Sequence, residues 1–148
     1  MKILAIDQAT KAGWAVSSEI SGVWNLSVLR DESAGMRLIR FRAKLKEIIQ
    51  LENIDLVVYE RVAGRFKAAI SVSAELAGTL KVVCEDAKVE YRAFSAGEIK
   101  KHATGKGNSG KPLMVAAAKL KWPNIEIIDD NHADALWLLD FAKKLYNN

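Results

Sequence analysis

Two carboxylates stand at the ends of apolar segments that lie far apart in the sequence. Asp7 closes the segment at residues 3–7, and Glu60 closes the segment at residues 54–60. Short apolar runs of this kind predict strands that are buried in a sheet. If the two strands are parallel neighbours, both carboxylates leave the sheet at one edge, where open α/β sheets place their ligand sites.

More acidic residues open the last predicted helix. Asp130 and Asp134 are four residues apart, so both lie on one helical face, whereas Asp129 has the position of a helix cap. Acidic side chains gathered at one edge repel one another unless a hard cation such as Mg²⁺ is bound. The sequence therefore predicts a site for two Mg²⁺ ions, with four carboxylates as ligands: Asp7, Glu60, Asp130 and Asp134.

Such a site is suited to the hydrolysis of phosphodiester bonds. One ion lowers the pKa of the attacking water, and the other stabilises the leaving 3′ oxygen. No serine or cysteine with a convincing base partner suggests covalent catalysis instead. His132 lies roughly 200° around the helix from Asp134, so a surface position is predicted for it. His102 is interpreted as a solvated or DNA-facing residue rather than a catalytic base.

Basic residues crowd the stretch at residues 98–121, in which Glu98 is the acidic neighbour. Its lysines are Lys100, Lys101, Lys106, Lys111, Lys119 and Lys121. Three glycines within residues 104–110 predict an exposed, mobile loop that lacks the residue order of a nucleotide-binding P-loop. Together with a net charge of +4, this stretch favours a phosphate backbone as the partner.

The hydrophobic periodicity predicts the elements that position these residues. Strands are expected at residues 3–7, 13–17, 23–29, 54–60 and 89–94, with a further short strand at 125–128. Helices are expected at residues 33–50, 66–87, 95–102, 112–121 and 129–146. This order indicates an α/β fold: a mixed five-stranded sheet, made of a three-stranded antiparallel meander and two parallel strands, flanked by helices on both faces.

The composition limits the remaining classes of protein. A chain of 148 residues, half of them hydrophobic, is expected to form one domain over residues 1–148. Cys84 has no partner for a disulfide. No apolar run approaches the roughly 18 residues that span a bilayer, so no membrane partner is expected and a cytoplasmic location is predicted.

Four segments resemble the RuvC family of Holliday junction resolvases, especially its shorter phage-type members, which have an RNase H-like fold. They are spread in order over nearly the whole chain: residues 3–16 (ILAIDQATKAGWAV), 56–60 (LVVYE), 99–111 (IKKHATGKGNSGK) and 133–136 (ADAL). The resemblance implies a homodimer, joined through the helix at residues 66–87, that resolves four-way DNA junctions by Mg²⁺-dependent paired nicks. Mn²⁺ is expected to substitute.

The resemblance also implies roles for individual residues. The family's basic catalytic helpers map onto Lys100 and Lys111. DNA contacts are expected from Lys100, Lys101, Lys106, Lys111, Arg65 and Phe66. If a phage encodes the protein, it acts in the cytoplasm of a bacterial host.

The sequence departs from the family pattern at two positions. Asn131 stands where the family usually has its fourth ligand, so Asp130, Asn131 and His132 all stay open for that position. Ala63 stands where an aromatic residue often wedges into the junction, with Phe66 the nearest substitute. A YqgF-like nuclease of the same fold, acting on RNA or other branched nucleic acid, is the alternative function.

Overall fold

Strand β1 (Ile3–Asp7) lies at the centre of a five-stranded sheet in the computed structural model, which describes residues 1–63 and 67–146. The other strands are β2 (Lys11–Ala15), β3 (Ser21–Asn25), β4 (Leu56–Glu60) and β5 (Glu90–Phe94). The order is β3-β2-β1-β4-β5, with β1 to β3 antiparallel and β4 and β5 parallel to β1. The predicted meander and parallel pair are both confirmed.

The register of β1 and β4 brings the two strand-end carboxylates to one edge. Ile6 pairs with Tyr59 in the last rung of the parallel ladder, and Asp7 and Glu60 follow directly. All residues of both strands before these acids are buried, as expected for parallel strands covered on both faces.

Five helices cover the sheet: α1 (Gly35–Leu51), α2 (Lys67–Ala87), α3 (Ala96–Thr104), α4 (Lys111–Lys121) and α5 (Asp130–Tyr146). Alternate residues of β1 point to opposite faces. Leu4 and Ile6 join a core with α1 and α2, and Ile3 and Ala5 join a second core with α3, α4 and α5. No helix within residues 1–63 and 67–146 has the length and apolarity needed to cross a membrane.

The prediction of a strand at residues 125–128 is wrong. These residues form no strand, because the N–H of Ile128 donates to His132 at the start of α5 instead of to a neighbouring strand. Strands β2 and β3 also differ from their predicted bounds. β2 ends in a turn closed by the bond from Val16 N–H to Ile20 O, and β3 ends where Asn25 Oδ1 accepts from Ser27 N–H.

The glycine-rich loop at residues 105–110 is exposed at every residue except Ser109, as predicted, and Ser109 anchors it to the protein. Ser109 is only 3% exposed, and its hydroxyl donates to Lys106 O and bonds to the hydroxyl of Thr104. Helix α3 runs on to Thr104, and Gly105, at a φ of +85°, ends it in the left-handed conformation.

Helix α5 can reach the edge of the sheet at which β1 and β4 end because Gly13 lies beneath it. Gly13 pairs with Asp7 across β1 and β2. A Cβ atom on Gly13 would lie 2.0 Å from the Asn131 carbonyl oxygen and 3.2 Å from the Ala135 Cβ. Since no real Cβ contact is that short, any side chain here would push the first turns of α5 away from the sheet. Those turns carry Asp134.

We predict that Gly13→Ala lowers the stability of the protein by about 2–4 kcal/mol, because the backbone of α5 cannot yield without repacking the core beneath it. Gly35→Ala is the matched control, since an added Cβ there meets nothing within 4 Å. Urea denaturation of both variants measures the difference. Equal midpoints for Gly13→Ala and the wild type would show that α5 does not rest on this glycine.

Candidate active site

A cleft of about 860 Å³ opens at the carboxyl edge of β1 and β4. Three elements supply its acids: Asp7 ends β1, Glu60 ends β4, and Asp134 lies in the second turn of α5. Lys100 of α3 and Lys111 of α4 line the same cleft. The structure therefore brings together residues from five segments that the sequence separates by up to 127 positions, from Asp7 to Asp134.

The surroundings of Asp7 in the cleft disfavour its charged form. Its Oδ2 atom is buried and has no hydrogen-bond partner among the residues that the structure describes. Burial raises the pKa of Asp7 well above its ordinary value, and the negative charges of Asp134, Glu60 and Asp130 raise it further. The positive charge of Lys111 lowers the pKa of Asp7, but by less than burial and the neighbouring acids raise it. A buried carboxylate oxygen without a donor is poorly solvated, so it is available as a ligand for a cation.

The other two acids are perturbed in the same direction. Burial raises the pKa of Asp134 to about 7, with further contributions from the charges of Glu60 and Asp130. Burial also raises the pKa of Glu60, while the nearby charge of Lys100 lowers it. Ionisation of all three acids at neutral pH is therefore unfavourable unless positive charge enters the cleft.

Of the three candidates for a fourth ligand, Asp130, Asn131 and His132, only Asn131 lines the cleft. Asp130 Oδ2 lies 3.1 Å from Lys111 Nζ and faces a neighbouring depression between α4 and α5. Asn131 lines the cleft itself beside Asp7 and Asp134. Within residues 1–63 and 67–146, no group of three Asp, Glu, His or Cys side chains is arranged so that it could hold a metal ion.

His132 is not the surface histidine that the sequence predicts, because it is only 2% exposed. Its Nδ1 accepts from Ile128 N–H at 3.1 Å, which leaves the proton on Nε2, 2.8 Å from the Ser21 hydroxyl oxygen. Burial lowers the pKa of His132, in keeping with a neutral ring. Both ring nitrogens are engaged, so His132 anchors the start of α5 to β3.

Asp129 caps α5 as predicted, since its Oδ1 accepts from the N–H of His132 at 2.8 Å. The interpretation of His102 as a solvated or DNA-facing residue is wrong. His102 Nε2 lies 2.7 Å from Asp140 Oδ2, and its ring packs against Trp137 and Phe141. This pair links α3 to α5. It could not be predicted from the sequence, because its two members are 38 residues apart.

Two further candidates for DNA contact, Lys101 and Lys106, do not line the cleft. Lys101 and Lys106 are exposed on α3 and on the loop that follows it. Arg65 and Phe66 lie outside the described residues. Sequence reasoning did not single out Gln8, a buried polar side chain of the cleft directly after Asp7. Its position next to a candidate ligand was the available signal.

The raised pKa values predict how the stability of the metal-free protein depends on pH. The folded protein binds these protons more tightly than the unfolded chain, so the contribution of Asp134 to the free energy of unfolding falls as the pH rises from about 4 to about 7. Asp134→Asn removes one ionisable group from this set. In the presence of EDTA, we expect the variant to exceed the wild type in stability by about 2–4 kcal/mol at neutral to alkaline pH, and by less in acid.

Thermal unfolding of both proteins across this pH range measures the effect, with the exposed Asp31→Asn as the control. Asp31→Asn should follow the wild-type curve at every pH. The prediction is contradicted if the stability of the wild type relative to Asp134→Asn stays constant or increases towards alkaline pH, because a buried charge in the cleft must destabilise the wild type there.

No protein-family model and no curated protein sequence matches the chain. Among solved structures, it is similar to T. thermophilus RuvC in complex with a Holliday junction substrate, with a TM-score of 0.77, 20% identity, and coverage of 99% of this chain and 94% of that one.

A second Thermus thermophilus RuvC structure gives a TM-score of 0.78 at 19% identity, covering 98% of this chain and 96% of that one. The yeast mitochondrial Holliday junction resolvase gives 0.58 at 16% identity, covering 95% and 76%. The chain therefore has the RNase H-like fold of the RuvC structures, as the sequence predicted.

Proposed function

We propose that the protein is a metal-dependent endonuclease that resolves four-way DNA junctions by paired, symmetric nicks. The observation that carries this proposal is the meeting of Asp7, Glu60 and Asp134 in one cleft, on the fold of RuvC. One similar structure holds a Holliday junction substrate, and another is a Holliday junction resolvase, which supports branched DNA as the substrate class.

The acids of the cleft fit Mg²⁺, with Mn²⁺ as a substitute. They offer oxygen donors, one of which, Asp7 Oδ2, is buried with no partner within residues 1–63 and 67–146. Mg²⁺ keeps waters and substrate phosphates among its ligands, so it does not need a closed cage of protein atoms. Asp7, Glu60 and Asp134 would hold the ions, with Asp130 or Asn131 as the fourth ligand. Two bound ions would supply a water nucleophile at neutral pH and would stabilise the leaving 3′ oxygen.

Lys111 holds a positive charge at the mouth of the cleft. Its ammonium group donates to Asp130, and this pair raises the pKa of Lys111, so the lysine stays charged at neutral pH. The side chain is exposed and lines the cleft, where it can draw a phosphate towards the acids and stabilise charge that develops on it. Lys100 offers a second charge from α3.

The DNA surface would extend from the cleft along α3 and the anchored loop. Lys101 and Lys106 are exposed there and would contact the phosphate backbone, as would Lys100 and Lys111. Arg65 and Phe66 are proposed to contact the junction from the segment before α2. Since each backbone contact releases counterions, binding should weaken steeply with salt.

A homodimer through α2 would supply the second cleft that paired nicks require. The side of α2 away from the core exposes three small residues and one valine at helical spacing, beside the exposed Glu75, and the small residues would let a second copy approach closely. The four residues are Ser71, Ala74, Gly78 and Val82. Light scattering tests the assembly, since a dimer has twice the chain mass of 16.3 kDa. A monomer at assay concentrations would exclude the dimer.

We expect Asp7→Asn and Glu60→Gln each to lower the rate of junction nicking by about a thousandfold or more, since each removes a carboxylate that holds the ions. Junction binding in Ca²⁺ should be retained, because it depends on the lysines. Nicking and gel-shift assays on a mobile four-way junction measure both properties.

The matched control for Glu60→Gln is Glu126→Gln, an exposed glutamate outside the cleft. An RNA junction of the same sequence separates DNA resolution from the YqgF-like alternative. Full nicking activity in either Asp7→Asn or Glu60→Gln would refute the assignment of the metal site. Preferential cleavage of the RNA junction would refute DNA as the substrate.

Lys111→Ala should slow nicking by about a hundredfold at saturating DNA, because charge on the reacting phosphate loses one counter-charge. Lys121→Ala, an exposed lysine at the end of the same helix, is the control and should keep the wild-type rate. Single-turnover kinetics distinguish this loss from weaker binding. Wild-type rates for Lys111→Ala would exclude the lysine from the reaction.

A further inference from the structure

Gln8 is a polar residue that is only 5% exposed, next to Asp7 in the cleft. Its side-chain amide makes two hydrogen bonds to the backbone of Glu60. Nε2 donates to the Glu60 carbonyl oxygen at 2.5 Å, and Oε1 accepts from the Glu60 N–H at 3.3 Å. One amide thus holds both backbone polar groups of a single residue on the neighbouring strand.

These two bonds lie where the backbone ladder has stopped. The rungs between β1 and β4 end at Ile6 and Tyr59, and both acids come after them. On its other side, β4 stays paired with β5, since the N–H of Arg61 donates to the Phe94 carbonyl at 2.7 Å. Beyond the last rung, the amide of Gln8 therefore links the main chain of Glu60 to the strand that carries Asp7.

We propose that Gln8 is a positioning residue that fixes the separation of Asp7 and Glu60 and thereby sets the metal affinity of the cleft. This inference rests on the metal site of the proposed function. Because the two acids repel each other, the site needs a neutral restraint that keeps them close before a cation arrives. Residues that orient ligands without touching the metal commonly change metal affinity by about 10- to 100-fold when they are replaced.

The geometry explains why a glutamine occupies this position. The site requires a donor and an acceptor on one neutral group, at the end of a side chain of this length. Methionine has the length without the amide. Asparagine has the amide on a side chain that is one methylene shorter. Glutamate would lack the donor and would add a fourth charge beside Asp7, Glu60 and Asp134.

The test compares Gln8→Met and Gln8→Asn with the wild type by titration with Mn²⁺ in the absence of DNA, with free Mn²⁺ measured by electron paramagnetic resonance. We expect the Mn²⁺ dissociation constant to rise about tenfold or more in both variants. Gln50→Met, a glutamine exposed near the end of α1, is the matched control and should bind Mn²⁺ as the wild type does. Circular dichroism confirms that each titrated protein is folded.

A kinetic comparison separates positioning from a merely structural role. In junction nicking, the Mn²⁺ concentration for half-maximal rate should rise in the Gln8 variants, whereas the rate at saturating Mn²⁺ should stay within about threefold of the wild type. If the Mn²⁺ dissociation constants of both variants stay within about twofold of the wild type, the inference is overturned, whatever happens to the melting temperature. If neither variant folds, the inference is also overturned, because Gln8 would then be required for the stability of the protein.

The proposed function and this inference fail in different ways. A wild type that binds Mn²⁺ but does not nick junctions refutes the function, and the titration of the Gln8 variants still decides the role of Gln8. A wild type that binds no Mn²⁺ overturns both.

Discussion

Electrostatic repulsion among acids at one end of a sheet is the constraint on which this structure depends. Asp7, Glu60 and Asp134 are partly withdrawn from water, and the pKa of each is raised. Such a cluster lowers the stability of the protein near neutral pH. A fold that retains it needs compensation, which positive charge supplies: lysines at the rim and, in the proposed function, divalent cations between the acids.

The rest of the fold holds these acids together against that repulsion. The parallel ladder aligns the ends of β1 and β4, and Gln8 continues the link beyond the last rung. Helix α5 brings Asp134 to the same edge, because Gly13 lets its backbone approach the sheet and His132 anchors its first turn. Each restraint is uncharged, so it adds no repulsion of its own.

The sequence predicted those features that depend on local pattern. Apolar runs ending in Asp7 and Glu60 located the two central strands, and the spacing of Asp130 and Asp134 placed both on one helix. It could not predict contacts that form only when distant segments meet. The partner of His102 lies on α5, and the burial of His132 comes from β3 and the loop before α5. The prediction of a strand at residues 125–128 was wrong, because a run of apolar residues forms a strand only where a neighbouring strand is available to pair with it.

The central claim is that Asp7, Glu60 and Asp134 form one metal site. Anomalous X-ray scattering from crystals soaked in Mn²⁺ tests it most directly, because the signal locates the ions without reference to activity. The account predicts two peaks in the cleft, about 4 Å apart, each within coordinating distance of at least one of these carboxylates. A saturated crystal with no peak in the cleft, or with peaks only elsewhere on the protein, would contradict it.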